Sequence, residues 1–411
     1  MVKKGLLISP IFPPAAFPES HLMVKLLSSL PGYEFDVVTF SAWKKWFGKD
    51  NSFEAVVNEN FGIVEYVQVP GILRWAPMGR FGPLSKLPDS YRFFNFLLFH
   101  KAKRMINENR YEVMVTWSQP HSSHLIGLKL KSSLKRSPKW IAHFSDPWVS
   151  NPYFEVKNWI KRSNENLFNR VLNQADAISV TNEFVITAEK GFSNTEIRRK
   201  VHVVPHSFSP TMYPCEIKIR PNEPTILRYI GSFYGLRRPD PIISALVELE
   251  ANEPGIAKKL RVEFVGAKLD EKALRDIQKL KVVSIEVLPS ISFRESLGLM
   301  QNADLLLLID APMEMSPFLP SKLIDYVGSN VPVLAYTPPG PSADLVKELG
   351  GWVASPTEMD LGYQTLKDAL KVITSEGFHY SPPIQVVERF KASENGKTFV
   401  KIMEQITEEI L

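Results

Sequence analysis

Short apolar runs alternate with amphipathic stretches along the whole chain. The apolar runs are rich in Val and Ile, have the length of buried strands, and end at Pro, Ser, Asp or Asn. In the first half they lie at residues 5–9, 35–39, 63–69, 113–117, 140–144 and 177–181. Apolar residues at helical spacing occupy 19–30, 91–109, 124–134 and 156–173. This alternation predicts a parallel sheet with right-handed crossovers.

The second half repeats this plan. Its predicted strands are 227–230, 261–265, 285–288, 304–309, 331–336 and 352–353, and its predicted helices are 238–250, 270–280, 294–301, 321–328 and 361–374. The segment 206–224 contains four prolines and little periodicity, which is typical of a linker. We therefore predict domains over 1–208 and 209–384. A helix over 385–411 is expected to pack back on the first domain.

The predicted fold class is α/β, with two doubly wound Rossmann-like domains facing across a cleft. At roughly 150 residues per domain, a chain of 411 residues accommodates two large domains and an extension. Open parallel sheets bind ligands at the carboxyl ends of their strands. Functional residues are therefore expected on the loops that follow strands.

Composition and charge exclude several classes of protein. Hydrophobic residues make up 44% of the chain, which indicates a folded protein, and the single cysteine, Cys215, excludes a disulfide framework or a thiolate zinc site. No run approaches the ~20 apolar residues of a transmembrane helix. The net charge, 49 − 44 = +5, is uneven: residues 1–208 carry 27 − 17 = +10, and residues 91–140 alone carry 10 − 2 = +8.

Two segments of the second half carry cations near a predicted helix start. Gly231 follows a strand and permits close backbone approach, and Arg237 lies where a helix begins, a position that favours anions. Lys322 lies in the first turn of another helix, where it opposes the helix dipole unless an anion binds, and Asp325 lies one turn further on. These residues fit a diphosphate and a ribose. A basic surface loop and a solvated Lys322–Asp325 pair are the alternatives.

Two polar segments follow strands of the first half. Asp146 comes directly after a buried strand, and His121 lies just before a helix after another strand. Both suit an acceptor site, although a turn-capping aspartate and a structural histidine are the plainer alternatives. No metal site is expected, because the pair His202 and His206 encloses the helix breaker Pro205 and no Asp-x-Asp pair occurs.

Together these segments resemble the GT-B glycosyltransferases, specifically the retaining family four enzymes that use nucleotide-sugars. The resemblance covers nearly the whole chain, and the motifs carry it as an ordered set. In chain order they are Phe-Pro-Pro at 12–14, Pro-Asp at 88–89, Ser-x-Pro-x-Ser-x-His-Leu at 118–125, Asp-Pro-Trp at 146–148, Gly-Ser-x-Tyr-Gly-x-Arg at 231–237, Pro-x-Lys-Leu-x-Asp-Tyr at 320–326 and Pro-Val-Leu-Ala at 332–335.

The resemblance implies a role for each matched residue. Arg237 and Lys322 would hold the diphosphate of the donor beside Gly231, and Asp325 would bind the ribose. The hydroxyls of Ser232 and Ser321 would hydrogen-bond the phosphates. His121 and Asp146, with Arg237 and Lys322, would form the catalytic set.

The chain departs from the family pattern at three places. Pro317 stands where the first Glu of a Glu-x7-Glu motif is usual, and Glu314 is out of register. Ala15-Ala16-Phe17 replaces a glycine-rich first loop, and Asn330 replaces a common glycine. These departures bear on the contacts to the donor sugar and the acceptor.

The expected activity is sugar transfer from a nucleotide-diphosphate sugar to a hydroxyl acceptor, in surface polysaccharide or glycolipid synthesis. Retention is implied by the resemblance, and no metal or other cofactor is expected. The alternatives are a nucleotide-sugar 2-epimerase and a non-catalytic binding subunit. The basic segment 91–140, which has aromatic residues beside its lysines, suggests peripheral contact with an anionic membrane that presents a lipid-linked acceptor, rather than nucleic acid. The expected location is the cytoplasm, at the inner face of the cell membrane.

Overall fold

The chain folds into two compact units, each built on a parallel sheet. A computed structural model describes residues 2–41, 48–70, 82–153, 155–214 and 224–408. The first unit comprises Met1–Ser207 and Ala392–Leu411, and the second comprises Phe208–Lys391.

The first unit contains a seven-stranded sheet with the order β3-β2-β1-β4-β5-β6-β7. Its strands are β1 (Lys3–Ile8), β2 (Tyr33–Phe40), β3 (Phe61–Val67), β4 (Val113–Ser118), β5 (Lys139–Phe144), β6 (Ala177–Val180) and β7 (Val201–Val203). Its helices are α1 (Pro18–Leu27), α2 (Glu54–Asn60), α3 (Asn95–Glu108), α4 (Ser123–Ser133), α5 (Asn158–Gln174), α6 (Glu183–Ala188) and α7 (Thr195–Arg199). All pairings are parallel, as the alternation of strands and helices predicts.

The central strands of this sheet are covered on both faces, which explains their almost continuous apolar sequences. Every residue of β4 is buried, and its polar Thr116 accepts a hydrogen bond from Trp140 Nε1 at 2.8 Å. Leu98 and Ala102 of α3 contribute to the core on one face. Because the middle of such a strand is buried, its polar and potentially functional side chains lie at the ends of the strand.

The second unit contains a six-stranded sheet with the order β10-β9-β8-β11-β12-β13. Its strands are β8 (Thr225–Ile230), β9 (Leu260–Val265), β10 (Ser284–Leu288), β11 (Leu305–Ile309), β12 (Val333–Tyr336) and β13 (Trp352–Ala354). Its helices are α8 (Asp240–Asn252), α9 (Pro254–Ala257), α10 (Glu271–Ile277), α11 (Phe293–Gln301), α12 (Ser321–Ser329), α13 (Pro341–Glu348), α14 (Met359–Ile373) and α15 (Ile384–Glu388). The two sheets confirm the predicted fold class.

Every predicted strand occurs within two residues of its expected bounds. The sequence analysis missed β7, because three residues are too few to show an alternation, and it missed the short helices α2, α6, α7, α9 and α13. Cys215 and residues 216–223 of the expected linker lie outside the described residues.

The C-terminal segment is two helices rather than the single helix predicted over 385–411. The first, α15, lies in the second unit, and the second, α16 (Ala392–Glu408), belongs to the first unit. Phe399 and Met403 are fully buried on its apolar face. Gly396 lies so close to the end of α1 that a Cβ there would be 2.2 Å from the carbonyl oxygen of Ser29.

The close approach at Gly396 yields the first prediction. We expect Gly396→Ala to force α16 away from the first unit and to lower the free energy of unfolding by about 1–3 kcal/mol, because the atom in the way belongs to the backbone. Gly255→Ala, in the helix α9 with open space around it, is the control and should change stability by less than ~0.5 kcal/mol. Thermal unfolding and hydrogen exchange of α16 measure both. Equal stability of the two variants would contradict the close contact between Gly396 and Ser29.

Candidate functional site

The loop after β8 and the start of α12 meet at the carboxyl edge of the second sheet. Gly231 ends the strand with φ +123°, a conformation that L side chains rarely adopt, and a Cβ there would lie 2.9 Å from Lys322 Nζ. Glycine therefore has two reasons to occupy this position: its backbone conformation and the space taken by the lysine.

Lys322 is held against an aromatic pair. Its Nζ donates a hydrogen bond to the Tyr229 hydroxyl at 3.1 Å and lies 4.3 Å from the centre of that ring, which stacks on Phe233. Burial is the main cause that lowers the pKa of Lys322 to about 7; the nearby Arg237 guanidinium contributes in the same direction, and Asp310 opposes both effects. An anion beside the amine would raise this pKa and favour the charged ammonium.

Arg237 already has an anionic partner inside the protein. Its Nη2 lies 2.7 Å from Asp310 Oδ1, and both side chains are buried. Asp310 also accepts a hydrogen bond from Thr337 at 3.0 Å, and Tyr234 accepts one from Arg237 at 3.2 Å. The guanidinium is thus fixed at the end of β11 by a network that spans three strand ends.

The sequence analysis assigned no role to Asp310, although this residue begins one of the loops that follow predicted strands, where functional residues were expected. A position just after a buried strand is the same signal that selected Asp146. Arg237, the partner of Asp310, is 73 residues away in sequence, and the pairing itself is visible only in the structure.

The other predicted donor residues lie around this centre with unequal access. Ser232 is exposed, and its hydroxyl donates to the Gly266 carbonyl oxygen at 3.3 Å. Ser321 is the first residue of α12 and is partly exposed. Asp325 is buried, and its backbone carbonyl oxygen accepts a hydrogen bond from the Tyr213 hydroxyl at 2.7 Å. The structure therefore brings Gly231, Arg237 and Lys322 together, with Asp325 one helical turn further in.

In the first unit, His121 and Asp146 lie at the carboxyl edge formed by β4 and β5. The His121 ring stacks on Trp148 with 4.9 Å between ring centres, and burial lowers its pKa to about 3. Its imidazole is therefore neutral at physiological pH, and its Nδ1 has no hydrogen-bond partner among the described residues. Asp146 accepts a hydrogen bond from Gln119 Nε2 at 3.0 Å. His124, on the next turn, is fully buried and bonded to Thr116.

A third polar group at this edge, Glu19, was missed by the sequence analysis. It lies in the first turn of α1, and its carboxylate accepts hydrogen bonds from Trp117 Nε1 at 3.1 Å and from Ser145 Oγ at 2.8 Å. Burial raises the pKa of Glu19 to about 8, and the Asp146 charge adds to the shift. An acidic residue after Pro18, at the start of the helix that follows β1, was the available signal.

The described residues contain neither a metal-binding cluster nor a membrane-spanning helix. No group of three or more His, Cys, Asp or Glu side chains in that part of the chain is arranged to hold a metal ion. Among the same residues, no helix is long and apolar enough to cross a membrane.

The buried Arg237–Asp310 pair supports a stability prediction. Asp310→Asn removes the carboxylate and leaves a buried guanidinium without its counter-charge, so we expect the second unit to lose about 3–5 kcal/mol. Glu271→Gln removes an exposed ion pair with Arg275 and should cost less than ~1 kcal/mol. Urea unfolding monitored in both variants tests the difference. A wild-type transition in Asp310→Asn would show that the pair contributes nothing.

Known structures with the same arrangement identify the fold. HepE of Anabaena in complex with UDP-glucose is 14% identical, with 99% of each chain covered and a TM-score of 0.60. The lipopolysaccharide outer core galactosyltransferase WaaB is 14% identical over 98% of this chain and 99% of its own, with a TM-score of 0.60. A glycosyltransferase from Rickettsia africae is 12% identical over 98% of each chain, with a TM-score of 0.65.

Sequence comparison adds nothing to this likeness: no family model matches the chain, and no curated protein matches it. At identities this low, the structural likeness establishes the fold alone. Two Rossmann-like units of seven and six parallel strands, aligned over nearly the full length of these enzymes, give the chain the GT-B fold.

Proposed function

We propose that this protein transfers a sugar from a nucleotide-diphosphate sugar to a hydroxyl group of an acceptor. The observation that carries the proposal is the meeting of Lys322 and Arg237 beside Gly231, at the start of α12. Two cations, a helix start and a glycine that admits a ligand to the backbone suit a diphosphate. Structures of HepE, which has the same fold, contain UDP-glucose and UDP.

The cations would act on the leaving group. As the bond to the anomeric carbon breaks, negative charge grows on the diphosphate, and fixed positive groups stabilise it without reorganisation. Asp310 keeps Arg237 in place while the site is empty, and the incoming diphosphate raises the pKa of Lys322 and so restores its full charge. These two cations would take the role that a metal ion has in other transferases, and we propose a metal-independent reaction.

The acceptor would bind in the first unit. The Asp146 carboxylate would accept a hydrogen bond from the attacking hydroxyl group of the substrate. The neutral His121 would contribute its stacked ring and no charge. Retention of the anomeric configuration follows from the family resemblance, with departure and attack on the same face. WaaB, which has the same fold, is a lipopolysaccharide outer core galactosyltransferase, and this supports a polysaccharide or glycolipid acceptor.

The donor proposal predicts a specific pH dependence. A lysine with a pKa of about 7 must take up a proton to bind the diphosphate at higher pH, so UDP affinity should fall by up to about tenfold per pH unit above pH 7. Lys322→Arg stays charged and should bind UDP equally at pH 7 and 9. Isothermal titration calorimetry in two buffers of different ionisation enthalpy measures affinity and proton uptake together.

Turnover separates the proposal from its two alternatives. UDP-, GDP-, dTDP- and ADP-sugars are incubated with and without glycoside acceptors, and the products are identified by mass spectrometry and NMR. Transfer predicts a new glycoside and free nucleoside diphosphate, and EDTA should leave the rate unchanged. An epimerised nucleotide-sugar without acceptor would identify a 2-epimerase, and tight donor binding without any product would identify a binding subunit.

We also propose that the first unit contacts an anionic membrane surface. In the basic segment 91–140, Phe94 and Phe99 are core residues, whereas Phe96 is 46% exposed on α3. Lys101 is paired with Glu65 and Arg104 with Glu108. Other cations of this segment are exposed: Arg110, Lys129, Lys135 and Arg136. An exposed aromatic ring and exposed lysines and arginines on the same part of the chain are the features that support interfacial binding.

Sedimentation with liposomes tests the membrane proposal. We expect binding to vesicles that contain phosphatidylglycerol, weaker binding to neutral vesicles, and a several-fold loss in Phe96→Ser. Leu274→Ser, at a similarly exposed apolar residue of the second unit, is the matched control and should bind like wild type. Negligible binding to both vesicle types would rule the contact out.

A further inference from the structure

The carboxyl group of Glu19 is oriented by two donors that share one of its oxygens. Trp117 Nε1, at the end of β4, donates at 3.1 Å, and Ser145 Oγ, just after β5, donates at 2.8 Å. Both hydrogen bonds end at Oε2, and Oε1 takes part in neither. Because the two donors come from neighbouring strand ends, they fix the plane of the carboxyl group and leave Oε1 for a further partner.

Asp146 is the charged group that acts on this carboxyl. It directly follows Ser145, and its own Oδ2 accepts a hydrogen bond from Gln119. Burial first, and the Asp146 carboxylate second, raise the pKa of Glu19 to about 8 against the smaller effect of the Ser145 and Trp117 hydrogen bonds. A pKa of about 8 favours the carboxylic acid over the carboxylate at neutral pH. Since Oε2 accepts two hydrogen bonds, the proton belongs on Oε1.

The neighbouring histidines do not supply a compensating charge. His21, on the same helix, lies 3.9 Å from Asp50 and stacks on Phe53. His143, on β5, packs on the Trp117 ring, and burial keeps its pKa well below the usual range. Glu19 and Asp146 thus form an acid–carboxylate pair at one edge of the sheet, and His121 lies close by on the loop that carries Gln119.

We propose that Glu19 binds the acceptor as a neutral acid. Its Oε1–H donates a hydrogen bond to one hydroxyl oxygen of a carbohydrate, while Asp146 accepts the hydrogen of the adjacent hydroxyl. A hydrogen-bond donor beside a hydrogen-bond acceptor matches a vicinal diol, because each hydroxyl group can donate or accept a hydrogen bond. The Asp146 charge would repel an acceptor that carried phosphate or carboxylate at this point. The inference rests on the proposed function, because it assigns a substrate-binding residue to the acceptor end of that reaction.

The first measurement is the protonation of Glu19 in the full-length protein. With glutamate labelled by ¹³C at the side-chain carboxyl, NMR titration should show a resonance with a midpoint of about pH 8 that is missing in Glu19→Gln. Asp146→Asn should lower this midpoint. If no glutamate titrates above about pH 6, the neutral acid does not exist and the proposal is wrong.

The second measurement is ligand binding at pH 7. Octyl glycosides of glucose, galactose, mannose and N-acetylglucosamine are titrated into the same samples. We expect at least one to move the Glu19 resonance, with a Kd that rises about tenfold in Glu19→Ala and little in Glu19→Gln, whose amide still donates. If no glycoside moves the resonance, or if Glu19→Gln loses binding as completely as Glu19→Ala, the proposal is overturned.

UDP binding, measured alongside, separates this proposal from the proposed function. It depends on the second unit, so the Glu19 variants should keep the wild-type Kd for UDP and a cooperative thermal transition. If the wild-type protein does not bind UDP, the proposed sugar transfer is contradicted. The NMR titration of Glu19 would still test its protonation independently.

Discussion

The burial of the central strands of both sheets is the constraint from which the rest of the structure follows. Strands such as β4 and β11 are buried along their whole length, and a charged group placed within them would have to be desolvated without a partner. Charged groups inside the strands occur with a partner, as Arg228 does with Glu263, and the candidate functional groups lie at the strand ends. Asp146 follows β5, Asp310 follows β11 and Gly231 follows β8, so that each unit carries its functional groups along one edge.

At these edges, partial burial sets the charge of each group. Desolvation lowers the pKa of Lys322 and raises that of Glu19, so both groups lie close to neutrality at physiological pH. Their immediate neighbours strengthen these shifts: Arg237 acts on the lysine and Asp146 on the glutamate. Groups balanced in this way change charge readily when a ligand of opposite character arrives. In the functions proposed above, the first unit would present an uncharged donor beside a carboxylate, and the second would present cations for a diphosphate.

The predicted strands were correct because their signal is local. A run of Val, Ile and Leu closed by a polar residue needs no knowledge of the rest of the chain, and strand ends then point to Asp146 and to the Gly231 loop. Some boundaries shifted by one or two residues because polar residues join the strand, as Lys3 and Lys4 do in β1. The strand β7 was missed because its three residues are too few to show a pattern. The break between α15 and α16 was missed because helical periodicity continues across it.

The sequence by itself determined the fold class, the alternation of strands and helices along the chain, and the position of the cationic loop after β8. All of these depend on residue type and spacing. Only the tertiary structure decided which groups meet. Arg237 pairs with Asp310, which is 73 residues away in the sequence. Glu19 accepts hydrogen bonds from Trp117 and Ser145, which are 98 and 126 residues away. These partners set the pKa values, and a pKa depends on the distance to other charges and on lost solvent, neither of which has a local signature in the chain.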